Sequence, residues 1–326
     1  MRVALVLGGG GVVGAAYHAG VLAALDVDLG WDARDADVIV GTSAGALVGA
    51  LLATGTGPQD LALATIGRAD RMAAEPALRL LVDRPELPSF GWSDIARRPH
   101  LPSAALLRAA AAPFGGVPRL SAALTMIGDG HRDLAPDLAG LDALATDWPE
   151  ALRTVAVDRS SAQRVVFGPD RPAPLSAAVA ASAAVPGYFR PVPIDDGIYI
   201  DGGAWSPTNV DVVAALDPVP DLVVVSSPMS SAVTRLGADL PVRRWCRGRL
   251  HAEVDELRRL GTKVLVLEPG RSVLAHMAFD LMSGAALREI VREAVLGVGR
   301  RLLDPSIAPV AARLRSAGRR PQQPVA

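Results

Sequence analysis

Apolar residues in this chain fall into unbroken runs rather than alternating ones. Val3-Ala4-Leu5-Val6-Leu7 has strand length and no polar position, and Val38-Ile39-Val40, Leu222-Val223-Val224-Val225 and Val264-Leu265-Val266-Leu267 repeat that texture. A strand that is apolar on both faces is one covered by helices on both sides, as in a parallel sheet inside an α/β protein. Helical segments follow the first two runs, over about Val13–Leu25 and Ala44–Ala53, so the opening reads β-loop-α-β-turn-α. The predicted fold is a three-layer α/β sandwich whose mostly parallel central sheet is flanked by helices.

From about 57 to 150 the texture changes to Ala-rich, Arg-bearing segments interrupted by prolines, without strand-type runs. This predicts a helical insertion packed on one side of the sheet, including any cap over the site. Arg153–Val157 and Arg164–Phe167 then read as a hairpin around Ser160-Ser161, and Leu175–Ala184 as a helix ended by Pro186-Gly187. A second hairpin joins Val192–Ile194 to Ile198–Ile200 through Asp195-Asp196-Gly197, a strong turn signal. Helices are expected from about Trp245 to Leu260 and over 284–303. Without an internal repeat or a Gly/Ser linker, one domain over 1–312 is the simplest organisation, with 313–326 as a disordered tail.

The 33 basic and 34 acidic residues nearly cancel, which removes the electrostatic footprint of nucleic-acid binding. One cysteine, Cys246, excludes an internal disulfide and a cysteine metal cluster, and fits a reducing compartment. Val3–Leu25 and Val38–Gly57 lack charge and reach membrane-spanning length, yet glycines divide each into strand, loop and helix. Met1-Arg2 before an apolar run imitates a signal peptide, but the four-glycine run interrupts it and no cleavage site follows. The expectation is a cytoplasmic protein with no transmembrane segment.

Chemistry concentrates at three places. Gly41-Thr42-Ser43-Ala44-Gly45 lies between an apolar strand and an apolar helix, the setting in which G-x-S-x-G makes a sharp turn that lifts a nucleophilic serine out of the backbone. The first strand runs into Gly8-Gly9-Gly10-Gly11-Val12-Val13-Gly14, so Gly9, Gly11 and Gly14 satisfy G-x-G-x-x-G. A dinucleotide site would also need a carboxylate near the end of the second strand, and that strand ends in Val40-Gly41-Thr42-Ser43. The loop suits instead an oxyanion formed when serine attacks an ester, with Gly9, Gly10 and Gly11 as donors. None of the five histidines has a strand-end context, whereas Asp201 ends an apolar strand and is followed by Gly202-Gly203. A direct Ser43–Asp201 dyad is the economical reading.

These residues resemble the patatin-like phospholipases: Gly9 to Gly14 as oxyanion loop, Gly41 to Gly45 as nucleophile elbow and Asp201-Gly202-Gly203 as base motif, in the family's order. Ala180-Ala181-Ser182-Ala183-Ala184-Val185-Pro186-Gly187-Tyr188-Phe189 is similar to the helix and turn that precede the base. The resemblance spans roughly 1–55 and 150–230 and leaves the insertion unmatched. It implies a Ser-Asp lipid acyl hydrolase of phospholipase A, lysophospholipase or esterase type, acting on a lipid or acyl-ester substrate without metal or cofactor. Val13 stands where the family often carries Arg or Lys, so a loop contact to an anionic head group drops out of what the resemblance implies. The alternatives are a nucleotide-binding α/β protein using Gly9, Gly11 and Gly14, and a non-catalytic lipid-binding module.

Two further stretches bear on membranes. Arg243-Arg244-Trp245-Cys246-Arg247-Gly248-Arg249 combines charge with an interfacial ring, so peripheral membrane contact stands beside the plainer reading of a solvated helix start. Phe90-Gly91-Trp92 reads equally as a membrane-facing loop or a small core patch.

Overall fold

The computed structural model describes residues 1–67, 77, 81, 87–88, 117–231, 233, 240–277 and 280–318. Eight strands form one sheet: β1 (Val3–Leu7), β2 (Val38–Thr42), β3 (Leu152–Asp158), β4 (Arg164–Phe167), β5 (Val192–Ile194), β6 (Gly197–Asp201), β7 (Leu222–Ser226) and β8 (Lys263–Leu267). β3, β2, β1, β7 and β8 lie side by side and parallel. β4 and β6 pair antiparallel with β3, and β5 with β6. The sheet is therefore mixed, with the parallel run at its centre.

Helices cover both faces, which is why the strands carry no polar alternation. In chain order they are α1 (Gly11–Leu29), α2 (Ala44–Ala53), α3 (Pro58–Thr65), α4 (Val117–Thr125), α5 (Ala135–Leu138), α6 (Leu175–Ser182), α7 (Asp211–Ala214), α8 (Leu240–Arg259), α9 (Arg271–His276), α10 (Leu287–Leu302) and α11 (Ala308–Ala317). Val3, Leu5 and Leu7 of β1 face a core shared with α1, α2, α6 and α10. Ala4 and Val6 face the other, built with Leu250, Val254 and Leu257 of α8. Among the described residues α1 is the one helix long and apolar enough to cross a membrane, but it is largely buried, packed against α2, α3 and α10. Its Gly20 lets the backbones nearly touch, since a Cβ there would lie 2.6 Å from the Val291 carbonyl oxygen.

The pairing around β3 positions the site. β4 takes one edge of β3, opposite Thr154 to Val157. β2 and β6 share the other edge: β2 lies opposite Leu152 to Val155, with Thr42 at Val155, and β6 opposite Ala156 to Asp158, with Asp201 at Ala156. The two strands run in opposite senses and meet end to end, so the residue after Thr42 arrives beside Asp201.

The chain's end differs from expectation. Residues 313–317, assigned to a tail, belong to α11, and Leu314 is fully buried against the core. Ala311 and Leu314 give this segment an apolar stripe, enough to seat a short surface helix on the core. Phe90-Gly91-Trp92 and His100 lie outside the described residues.

Candidate active site

Ser43 joins β2 to α2 with φ 55° and ψ −121°, a conformation costly for a residue with a side chain, on the order of 1–3 kcal/mol, and typical of functional turns. Gly45 makes the turn feasible: a Cβ there would sit 2.0 Å from the Leu7 carbonyl oxygen, so only glycine lets α2 start against the end of β1. The Ser43 amide is engaged, donating to Ser182 Oγ at 2.9 Å, and Ser182 donates onward to the Val155 carbonyl at 2.5 Å.

The glycine loop abuts this turn, with the position of a Gly9 Cβ only 3.3 Å from Ser43 Cβ. Its amides are not equivalent. Gly8 N–H donates to the Ser226 carbonyl at 3.0 Å and Gly9 N–H to the Pro207 carbonyl at 2.8 Å. Gly9 is thus already committed as a donor, correcting its expected place among the oxyanion donors; it shapes the loop instead. Gly10 and Gly11 N–H have no acceptor among the described residues, and neither does Ala44 N–H at the start of α2. These are the orphan donors that open every helix. Gly11 holds φ +60°, and its Cβ would meet the Leu281 carbonyl oxygen at 2.6 Å.

Asp201 ends β6, 6% exposed against 7% for Ser43. Its carboxylate accepts Gly203 N–H at 2.6 Å, and the Ser43 side chain lies near enough to favour its charged form. Burial pushes its pKa up to about 6, and the Gly203 amide and the nearby Ser43 side chain hold it from rising further. Its own N–H donates to the Ala184 carbonyl, fastening the base to the segment after α6. Ser43, Asp201, Gly10 and Gly11 line one cavity of about 400 Å³, near the small end of ligand-pocket volumes. Leu124, Ile127, Val185, Met229 and Trp245 make its wall mostly apolar.

Among the described residues no histidine lines this cavity. His18 is fully buried in α1, one ring nitrogen 2.7 Å from the Gly8 carbonyl and the other 2.8 Å from Ser226 Oγ. Because a carbonyl only accepts, Nε2 carries the proton and Nδ1 accepts from the serine. His18 therefore anchors the base of the glycine loop. The arginine run is also only partly a solvated helix start. Arg243 is buried and donates to the Pro228 carbonyl, Arg249 binds Glu253, and Cys246 lies in the cavity wall with its thiol pushed up to about 12 by burial.

Sequence reading missed Ser182, His18, Ala44 and Asn209, whose side-chain amide reaches both Thr42 and Gly202. Ser182 and His18 had a signal, since each is a polar residue in an otherwise apolar helix. Asn209 had none.

The helix-covered mixed sheet, with the Ser43 turn and Asp201 at one cavity, is an α/β architecture with its candidate site at the strand ends. A family model described as patatin-like phospholipase matches residues 5–214, and the chain belongs to that family: it is a patatin-like lipid acyl hydrolase. Among solved structures it is similar to VipD from Legionella pneumophila, at 13% identity and TM-score 0.39, covering 97% of this chain and 74% of that one. It is also similar to the type III effector protein ExoU, at 15% identity and TM-score 0.36, covering 93% of this chain and 54% of that one. Among curated proteins no significant match is found.

Proposed function

We propose that Ser43 and Asp201 are the nucleophile and base of an acyl-ester hydrolase that works through an acyl-enzyme. The observation that carries the reading is that Ser43, on a strained turn, and the buried Asp201 carboxylate line the same apolar cavity beside the glycine loop. Asp201 takes the hydroxyl proton as Ser43 Oγ attacks the ester carbonyl carbon. The C–O bond then breaks, and Asp201 returns the proton to the departing alcohol. Water attacks the acyl-serine in the second half, giving a proton to Asp201; the bond from the acyl carbon to Ser43 Oγ breaks, Asp201 returns that proton to Ser43 Oγ, and the fatty acid leaves. The negative charge on the carbonyl oxygen falls to the free amides of Gly10, Gly11 and Ala44; one such donor is typically worth about 3 kcal/mol in the transition state.

A carboxylate is a weak base for a serine hydroxyl, and its raised pKa narrows the gap while leaving it ionised at neutral pH. The cavity suits a single acyl chain, with the head group directed outward. Val242, 48% exposed and also lining the cavity, supports contact of its mouth with a lipid surface.

Fluorophosphonate labelling tests the assignment. Wild-type protein should label and Ser43→Ala should not; equal labelling of both would remove Ser43 from the role. A protein that binds phospholipid vesicles but neither labels nor hydrolyses any ester would be a lipid-binding module.

A further inference from the structure

Two strands that meet end to end on one edge of a third share no ladder hydrogen bonds with each other. That is the position of β2 and β6, which deliver Ser43 and Asp201 to consecutive places along β3. Pairing with β3 sets where each strand ends, but no ladder bond joins the two ends to each other, so side chains complete the junction.

Asn209 spans the junction. It is fully buried and holds φ 51°, a left-handed conformation that asparagine tolerates better than other residues with side chains. Its Nδ2 lies 3.1 Å from Thr42 Oγ1, 3.4 Å from the Gly202 carbonyl and 2.6 Å from the Ser206 carbonyl. Thr42 immediately precedes Ser43 and Gly202 immediately follows Asp201. One amide thus grips both chain ends beside the reacting side chains, while its Oδ1 accepts from Arg164 at 3.3 Å. With two hydrogens and three acceptors, the amide gives one hydrogen to Ser206 and leaves the other shared across the junction.

We propose that Asn209 is a positioning residue that sets the Ser43–Asp201 separation; this rests on the reading of that pair as nucleophile and base. Its side chain touches neither the substrate nor the reacting atoms. A misplacement of about 1 Å costs on the order of 10²-fold in rate, so its loss should appear in kcat rather than in KM.

The test is turnover of a short-chain p-nitrophenyl ester by the full chain, with kcat expressed per site titrated by fluorophosphonate. Asn209→Gly keeps the positive φ and deletes the bridge; Thr42→Val deletes only the acceptor hydroxyl. In Asn209→Gly, kcat per titrated site should fall on the order of 10²-fold with KM within about twofold. Thr42→Val should fall less, and the double variant no further than Asn209→Gly. Unchanged kcat per titrated site, or losses that multiply in the double variant, would overturn the positioning role. If Asn209→Gly does not fold, Thr42→Val decides alone. A wild-type chain that neither labels nor turns over would overturn the reading of Ser43, and this role with it; an active wild type with unaffected variants overturns only the role.

Discussion

The Ser182 hydroxyl accepts the amide proton of Ser43 at 2.9 Å while donating to the Val155 carbonyl at 2.5 Å, so the strained Ser43 turn is pinned to β3 by one side chain from α6. The turn's backbone strain persists only where the surroundings over-determine it. Ser182 is part of that determination. Ser182→Ala leaves a buried N–H and a buried carbonyl without this partner, a loss of about 1–3 kcal/mol. Urea denaturation should show that loss, and ester turnover should drop more than the stability change explains, because the turn relaxes away from Asp201.

Gly11 carries a different demand. It holds φ +60° and has a carbonyl oxygen 2.6 Å from where a Cβ would stand. Gly11→Ala must shift the Leu281 segment and rotate the amide that we assign to the oxyanion. Removing one such donor costs on the order of 10²–10³-fold in kcat. Active-site titration against turnover separates this from unfolding: sites should still label slowly while kcat per site falls.

Much of this was legible from local pattern. All eight strands are apolar runs or hairpin arms, and the three motifs are contiguous segments, so short-range rules suffice for them. The meeting of β2 and β6 was not legible, because it depends on which residues of β3 each strand pairs with, Thr42 with the distant Val155 and Asp201 with Ala156, and no local pattern sets either register. Gly9 shows the same limit. Its type and place in the loop fit an oxyanion donor, and only the approach of Pro207 from a distant loop shows the amide already bonded. Asn209 carries no local signal for the same reason: its partners Thr42 and Gly202 come from elsewhere in the chain.

Asp201 gives activity a predicted acid limb. The base works only when ionised, and its pKa of about 6 means that kcat/KM should fall tenfold per pH unit below that value. Asp201→Asn should abolish turnover while remaining folded. A variant with full activity would move the base elsewhere.

Stability against pH separates two of the buried titrating groups, Asp201 and His18, because their signs oppose. The folded pKa of Asp201, about 6, lies above its ordinary 3.8, so the folded state binds the proton more tightly. Its burial therefore costs progressively more as pH rises from 3.8 to 6, up to about 3 kcal/mol above that window. His18 is the reverse. Its folded pKa of about 4 lies below 6.5, mainly through burial, so stability is full above pH 6.5 and is lost as pH falls toward 4. Over pH 4–6 the two contributions partly cancel in the wild type. Asp201→Asn, neutral throughout, should be more stable than wild type at pH 7.5, and its urea midpoint should fall more steeply on acidification. His18→Phe should be less stable at pH 7.5, having left the Gly8 carbonyl without its donor, yet gain stability from pH 6 to pH 4 as Asp201 takes up its proton. Parallel midpoint curves for wild type and both variants would show that neither group titrates as its burial dictates.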